Sequence, residues 1–210
     1  MEWNAVLLLG AYHGINPGMG WLFAVALGMQ QGSARGVWRA LPPIALGHMA
    51  AVGAVLLAAG LAQMIVPLPA LKVVVAAVLV AFGVYRLWRH RHPRFGGMQV
   101  GFRDLTVWSF LMASAHGAGL MVLPFVMAMS TDALAAGGCH SHHSATSGIG
   151  VPWIGALALG LHTLAYLVVL AVAAWIVYRI GLTVLRTSWF NLDRLWAGVL
   201  VATGLFILSF

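Results

Sequence analysis

Charge is confined to the joints of this sequence. Residues 4–29, 40–63, 105–130, 152–178 and 195–210 contain no Asp, Glu, Lys or Arg, and 71–87 contains only Lys72 and Arg86. A helix needs roughly 20 apolar residues to cross a bilayer core, so six such stretches predict six spans. Of 210 residues, 62% are hydrophobic and 7% charged, whereas about a quarter of a soluble domain is charged. The expected fold class is all-α: a polytopic membrane protein with six transmembrane helices in one integral membrane domain, residues 1–210, and the lipid bilayer as its partner. VPLP, at 66–69, predicts a tight turn between spans two and three, because its prolines lack donors and favour extended backbone. The start, MEWNAVLLLG, has no basic segment before its apolar run and is expected to belong to span one rather than to a cleavable signal.

A net charge of +7 would suggest nucleic acid in a soluble protein. Here it sorts by loop, and no nucleic-acid partner is expected. Arg35 and Arg39 lie between spans one and two. Arg86, Arg89, Arg91, Arg94 and Arg103 lie between three and four, and Arg179, Arg186 and Arg194 between five and six. Only Lys72 falls in an even-numbered loop. The positive-inside bias then puts loops one, three and five in the cytoplasm and both termini outside. The expected location is a bacterial inner (plasma) membrane. RLWRHRHPRFGG, 86–97, reads as a topology anchor near anionic headgroups, with His90 and His92 part of that solvated loop.

The two halves, about 1–90 and 103–210, resemble each other. AYHGINPGMGWLFAVAL in span one parallels ASAHGAGLMVLPFVMAM in span four, and ALGHMAAVGAVLLAA in span two parallels LGLHTLAYLVVLAVAA in span five. Three spans per half make the second copy upside down, a 3+3 inverted-topology repeat with a solute site between the halves. The repeat pairs His13 with His116 and His48 with His162, and it would set His13 facing His116. Ionisable groups inside spans are costly and face a cavity or a partner. Neutral imidazole ligates Zn, Ni, Cu and Fe and also carries protons. Asn16 and Pro17 break the middle of span one, freeing backbone groups that must line a cavity or find protein partners. Pro124 is expected to do the same in span four. Gly10, Gly14 and Gly18, then Ala24, Gly28 and Gly32, and Ala156 with Gly160, form small-residue stripes that permit close helix approach and would permit a homodimer.

GGCHSHHS, 137–144, falls in the external loop of about 131–150. Cys139, His140, His142 and His143 form a candidate capture tract for Zn, Ni or Cu, at a spacing that fits no closed structural site. Met19, Met49, Met112 and Met121 lie close in sequence to the span histidines; methionine is a core filler that would favour Cu(I) if it ligated.

The run PGMGWLFAVALGMQQGSARGVWRALPPIALGHMAAV resembles the first half of the lysine-exporter (LysE-type) transporter superfamily and, within it, the NicO-type nickel/cobalt exporters. Those carry a His-x-x-acid-Pro-Gly-His pattern in the first helix and a Ser-His-Thr-like element in the second. His13, Pro17, Gly18, Gly32, Gly36 and His48 fall on that pattern, over roughly residues 10–60; the second half matches loosely. Asn16 stands where that family has an acid, and Met19 where it has a second histidine. The site is therefore less charged and softer, which leaves open a cation other than Ni(II) or Co(II), or a solute that is not a metal.

The expected function is a secondary transporter exporting a transition-metal cation (Ni, Co, Zn or Cu) with proton coupling. His13, His48, His116 and His162 would ligate or relay, and Asn16 and Pro17 would line the site. One alternative is an exporter of an amino acid or other small polar solute. Another is a His-metal membrane enzyme or enzyme subunit. Against an enzyme, the only His-x-x-His spacing is in the loop, at His140–His143, and Glu2, Asp104, Asp132 and Asp193 all sit near span ends. A reporter active only in the cytoplasm should be active when fused after Arg94 and inactive when fused after Ser144; the opposite pattern would invert the topology.

Overall fold

The computed structural model describes residues 2–63, 65–88, 101–136, 152–180 and 192–208. All its elements are helical, and no strand occurs among the described residues. In chain order they are α1 (Glu2–Ile15), a single 3-10 turn (Pro17–Met19), α2 (Trp21–Gln30), α3 (Ala34–Ala62), α4 (Leu68–Trp88), α5 (Phe102–Ala115), α6 (Ala118–Ala136), α7 (Pro152–Ile180) and α8 (Leu192–Leu208). Two helices are long and apolar enough to cross a membrane, Ala34–Ala62 and Trp153–Ile180. The pair Phe102–Ala115 and Ala118–Ser130, bent by 63°, makes a third if it counts as one span. On α7, Leu164, Val168, Val172 and Ile176 point outward, all about half exposed, while Tyr166, Leu170 and Ala174 are buried. A helix that is apolar on every side suits a lipid environment.

The stretch expected as span one is two helices joined by the 3-10 turn. Asn16 caps that turn, its side chain accepting from the Gly18 amide at 2.9 Å. Gly20 ends it at φ 134°, where a Cβ would collide with Ile44. Only glycine fits that backbone and that space. The stretch expected as span four breaks as well, but not at Pro124, which lies inside α6 without ending it. The break falls at His116–Gly117, where Gly117 takes φ 68° and α5 stops. A helix tolerates a proline by bending, whereas a left-handed glycine ends it.

Glycines set how closely the helices approach. A Cβ on Gly10 would meet the His162 carbonyl, and one on Gly14 would lie 2.6 Å from the Tyr166 carbonyl and 2.9 Å from Val169. Both contacts advance together, so α1 runs parallel to α7. Gly47 sits on the backbone of Thr106 and Phe110, and Gly119 meets Val55, so α3 runs parallel to α5 and α6. Gly83 meets Ala197 and Val201, while Gly204 meets Ala76 and Val80, so α4 and α8 are antiparallel. The largest contacts are these three: α1 with α7, α3 with α5, and α4 with α8. α3 also crosses α7, antiparallel, with His48 by His162 at one level and Trp38 by Trp175 at another.

Gly160 corrects the small-residue reading of span five, since a Cβ there would meet nothing within 4 Å. The two positions therefore diverge under the same change. Gly10→Ala should lower thermal stability by about 1–3 kcal/mol through overpacking, whereas Gly160→Ala should be neutral or raise it by up to about 1 kcal/mol through helix propensity. Thermal unfolding of the purified protein in detergent checks both.

Candidate functional site

Three imidazoles meet where α1, α3 and α7 cross. The ring centroids of His13 and His162 are 5.1 Å apart, those of His48 and His162 5.4 Å, and those of His13 and His48 5.6 Å. All three side chains are fully buried. The site exists because the Gly10–Gly14 face brings α1 against α7, placing His13 one turn before the helix break and beside His162.

Two of the three rings are anchored by backbone carbonyls. The His13 Nδ1–H donates to the Leu9 carbonyl at 2.6 Å, and the His162 Nδ1–H reaches across helices to the Val6 carbonyl at 3.2 Å. A carbonyl only accepts, so each bond places a proton on Nδ1 and makes Nε2 the lone-pair nitrogen of the neutral ring. Metal-ligating histidines are commonly oriented in this way, by a carbonyl behind the ring. His48 differs: among the described residues neither its Nδ1 nor its Nε2 has a hydrogen-bond partner, and the same is true of the His162 Nε2.

His116 is also buried, and its Nδ1–H donates to the Met112 carbonyl at 2.7 Å, the same four-residue bond that holds His13. It lies within electrostatic reach of His13. His48 and His162 are also ring neighbours of His13. Cys139, His140, His142 and His143 lie outside the described residues, as do His90 and His92.

Asn16 and Pro17 sit at the helix break beside the cluster. Asn16 is 5% exposed and its Nδ2 has no partner among the described residues. Pro17 opens the 3-10 turn, and the His13 carbonyl its missing N–H would have engaged accepts from the Asn16 amide at 3.3 Å. The Trp21 indole donates to the Ile15 carbonyl at 2.9 Å, closing the end of α1.

Tyr166 belongs to the site and was missed by the sequence reading. Its ring stacks on His48 with centroids 3.9 Å apart and planes 12° apart. Its hydroxyl donates to the Met19 carbonyl at 2.6 Å. The signal was present: a tyrosine inside an apolar helix needs a partner for its hydroxyl, and Tyr166 follows His162 by one helical turn.

Among the described residues no group of three or more His, Cys, Asp or Glu is arranged to hold a metal ion. The His48 and His162 ring planes differ by 13°. What the cluster offers is a buried set of imidazole nitrogens with one ring, His48, that no hydrogen bond fixes among the described residues.

No protein-family model, no curated protein and no solved structure matches this chain.

Leaving a buried polar group unpaired costs about 1–3 kcal/mol, and an apolar replacement of similar shape removes that cost. His48→Phe, which keeps a ring to stack on Tyr166, should therefore leave thermal unfolding unchanged or move it upward. A marked fall would show that the His48 nitrogens have partners in the folded protein.

Proposed function

We propose that this chain is a six-span secondary transporter of the LysE-like kind, a 3+3 inverted repeat that exports a transition-metal cation in exchange for protons. The observation that carries this reading is the buried cluster of His13, His48 and His162 beside a broken helix. In a bilayer, non-helical backbone is tolerated where it is buried in protein or lines a cavity, and such breaks are where transporters bind solutes. The cluster contains no carboxylate, so it suits a borderline or soft cation such as Zn(II), Ni(II), Co(II) or Cu(I). His13 and His162 present Nε2 from fixed rings, and His48 completes the set by turning about its side-chain bonds.

The pattern of helix contacts supports the repeat. Exchanging spans one, two and three with four, five and six turns the parallel α1–α7 contact into the parallel α5–α3 contact. It maps α3–α7 and α4–α8 onto themselves, and a pseudo-two-fold axis in the membrane plane requires those self-pairs to be antiparallel, as they are. Both first spans break near a histidine bonded to the carbonyl four residues back. Arg35 and Arg39 lie on α3 near Trp38, and Arg179 stacks over Trp175 at 5.2 Å. This gathers basic residues of loops one and five at one end, in keeping with a cytoplasmic face.

A second reading, export of a small polar solute with the histidines as proton carriers, is favoured by the side-by-side rings and by the unpartnered Asn16 Nδ2 and Thr163 Oγ1. Flux through liposomes containing the purified protein separates the two. Zn(II), Ni(II), Co(II) or Cu(I) should move faster than through empty liposomes, and His48→Ala or His162→Ala should cut that flux at least about tenfold. Movement of labelled amino acids with no metal flux would replace the first reading by the second, and flux of neither would end both.

A further inference from the structure

One buried side chain joins the helix break to the histidine cluster. Tyr166, on α7, gives its hydroxyl proton to the Met19 carbonyl at the end of the 3-10 turn and lays its ring on His48 of α3. Tyr166 is 0% exposed. It thus touches the turn and α3 while belonging to α7.

The bond matters because of the position of Met19. The turn closes internally through two bonds, Met19 N–H to Asn16 O and Gly20 N–H to Pro17 O, at 3.0 and 3.4 Å. Gly20, at φ 134°, follows at once. Packing on Ile44 holds the Gly20 end of the turn, and the Tyr166 hydroxyl ties the Met19 carbonyl to α7. The residue four beyond His48 is Val52, also fully buried, and it has no hydroxyl to offer the break at Gly117.

We infer that Tyr166 is a positioning residue that latches the α1–α2 break shut over His48, and that access to the cluster requires the phenol to release the Met19 carbonyl. The inference deepens the proposed function, since an access device has a purpose only if the cluster receives a solute. His48, held by no hydrogen bond among the described residues, is the ring that the latch covers and keeps in place by stacking.

The test uses the full chain in lipid nanodiscs. Tyr166→Phe keeps the ring on His48 and removes only the hydroxyl. Amide hydrogen exchange over residues 16–20 and diethyl pyrocarbonate modification of His48, both read by mass spectrometry, should each rise about fivefold, the scale of one lost buried hydrogen bond. Exchange across α4 and α8 should stay unchanged. Ser130→Ala removes another buried hydroxyl, bonded to the Val126 carbonyl, and should alter neither readout. Wild-type rates in Tyr166→Phe overturn the latch. A rise spread evenly over every helix also overturns it, since the hydroxyl would then only support packing. Neither readout involves cargo, so failure of the flux assay with a positive exchange result removes the transport reading alone.

Discussion

The first helix stops at Ile15 and restarts at Trp21, and the backbone between them must find its partners inside the protein. Each orphaned buried group would cost about 1–3 kcal/mol, so a break of this length is stable only if nearly all are met. They are met locally and from afar. Asn16 serves the Gly18 amide and the His13 carbonyl, Trp21 serves the Ile15 carbonyl, and Tyr166 serves the Met19 carbonyl across a sequence gap of 147 residues. The last bond makes the break depend on α7, and α1 reaches α7 closely because Gly10 and Gly14 let it lie directly on the α7 backbone. The same contact carries His13 to His162. Helix approach, helix break and histidine cluster are therefore one arrangement, and a bulky residue at Gly10 would disturb all three.

The sequence carried these parts unequally. The break in α1 was legible because Asn16, Pro17 and Gly18 stand together in an apolar run. The break at Gly117 was not. Prolines mark it poorly, since Pro42, Pro43 and Pro124 all lie inside continuous helices, and a glycine's left-handed backbone at Gly117 is not visible in its letter, even beside His116. The histidines stood out as ionisable groups in stretches without charge, and the four in the spans are all buried. Which of them meet was not legible. Sequence pairing set His13 with His116, and the two lie within electrostatic reach; the ring contacts of His13 with His48 and His162 come from the packing of α1 and α3 on α7, which no sequence pairing showed. Gly160 failed as a packing mark for a related reason: spacing shows that a face is small, not that another helix lies against it.

The halves are alike in helix direction and contact, yet they differ at the centre. His48 and His162 occupy matching places in the sequence repeat. His162 reaches the Val6 carbonyl, while His48 has no hydrogen bond among the described residues. One turn further on, the paired positions hold Val52 and Tyr166. In a transporter of the proposed kind, likeness of the halves would supply the two packings that alternation requires, and the difference at the centre would let a single ring and a single phenol respond to what enters.

A purely structural account of the cluster would have each imidazole hydrogen-bonded to a nearby carbonyl and otherwise inert. His13, His116 and His162 each meet that description at Nδ1. His48 does not, although it is fully buried and α3 is a long helix of otherwise apolar contacts in this region. Packing alone would be served better there by leucine or phenylalanine, which fill the space without desolvating two nitrogens. Stacking on Tyr166 does not explain the choice either, because any flat ring would stack. What distinguishes imidazole from those alternatives is a nitrogen lone pair and an exchangeable proton. His48, in contact with two more of its kind, forgoes stability for those two properties, and the proposed function is the reading that gives that loss a purpose.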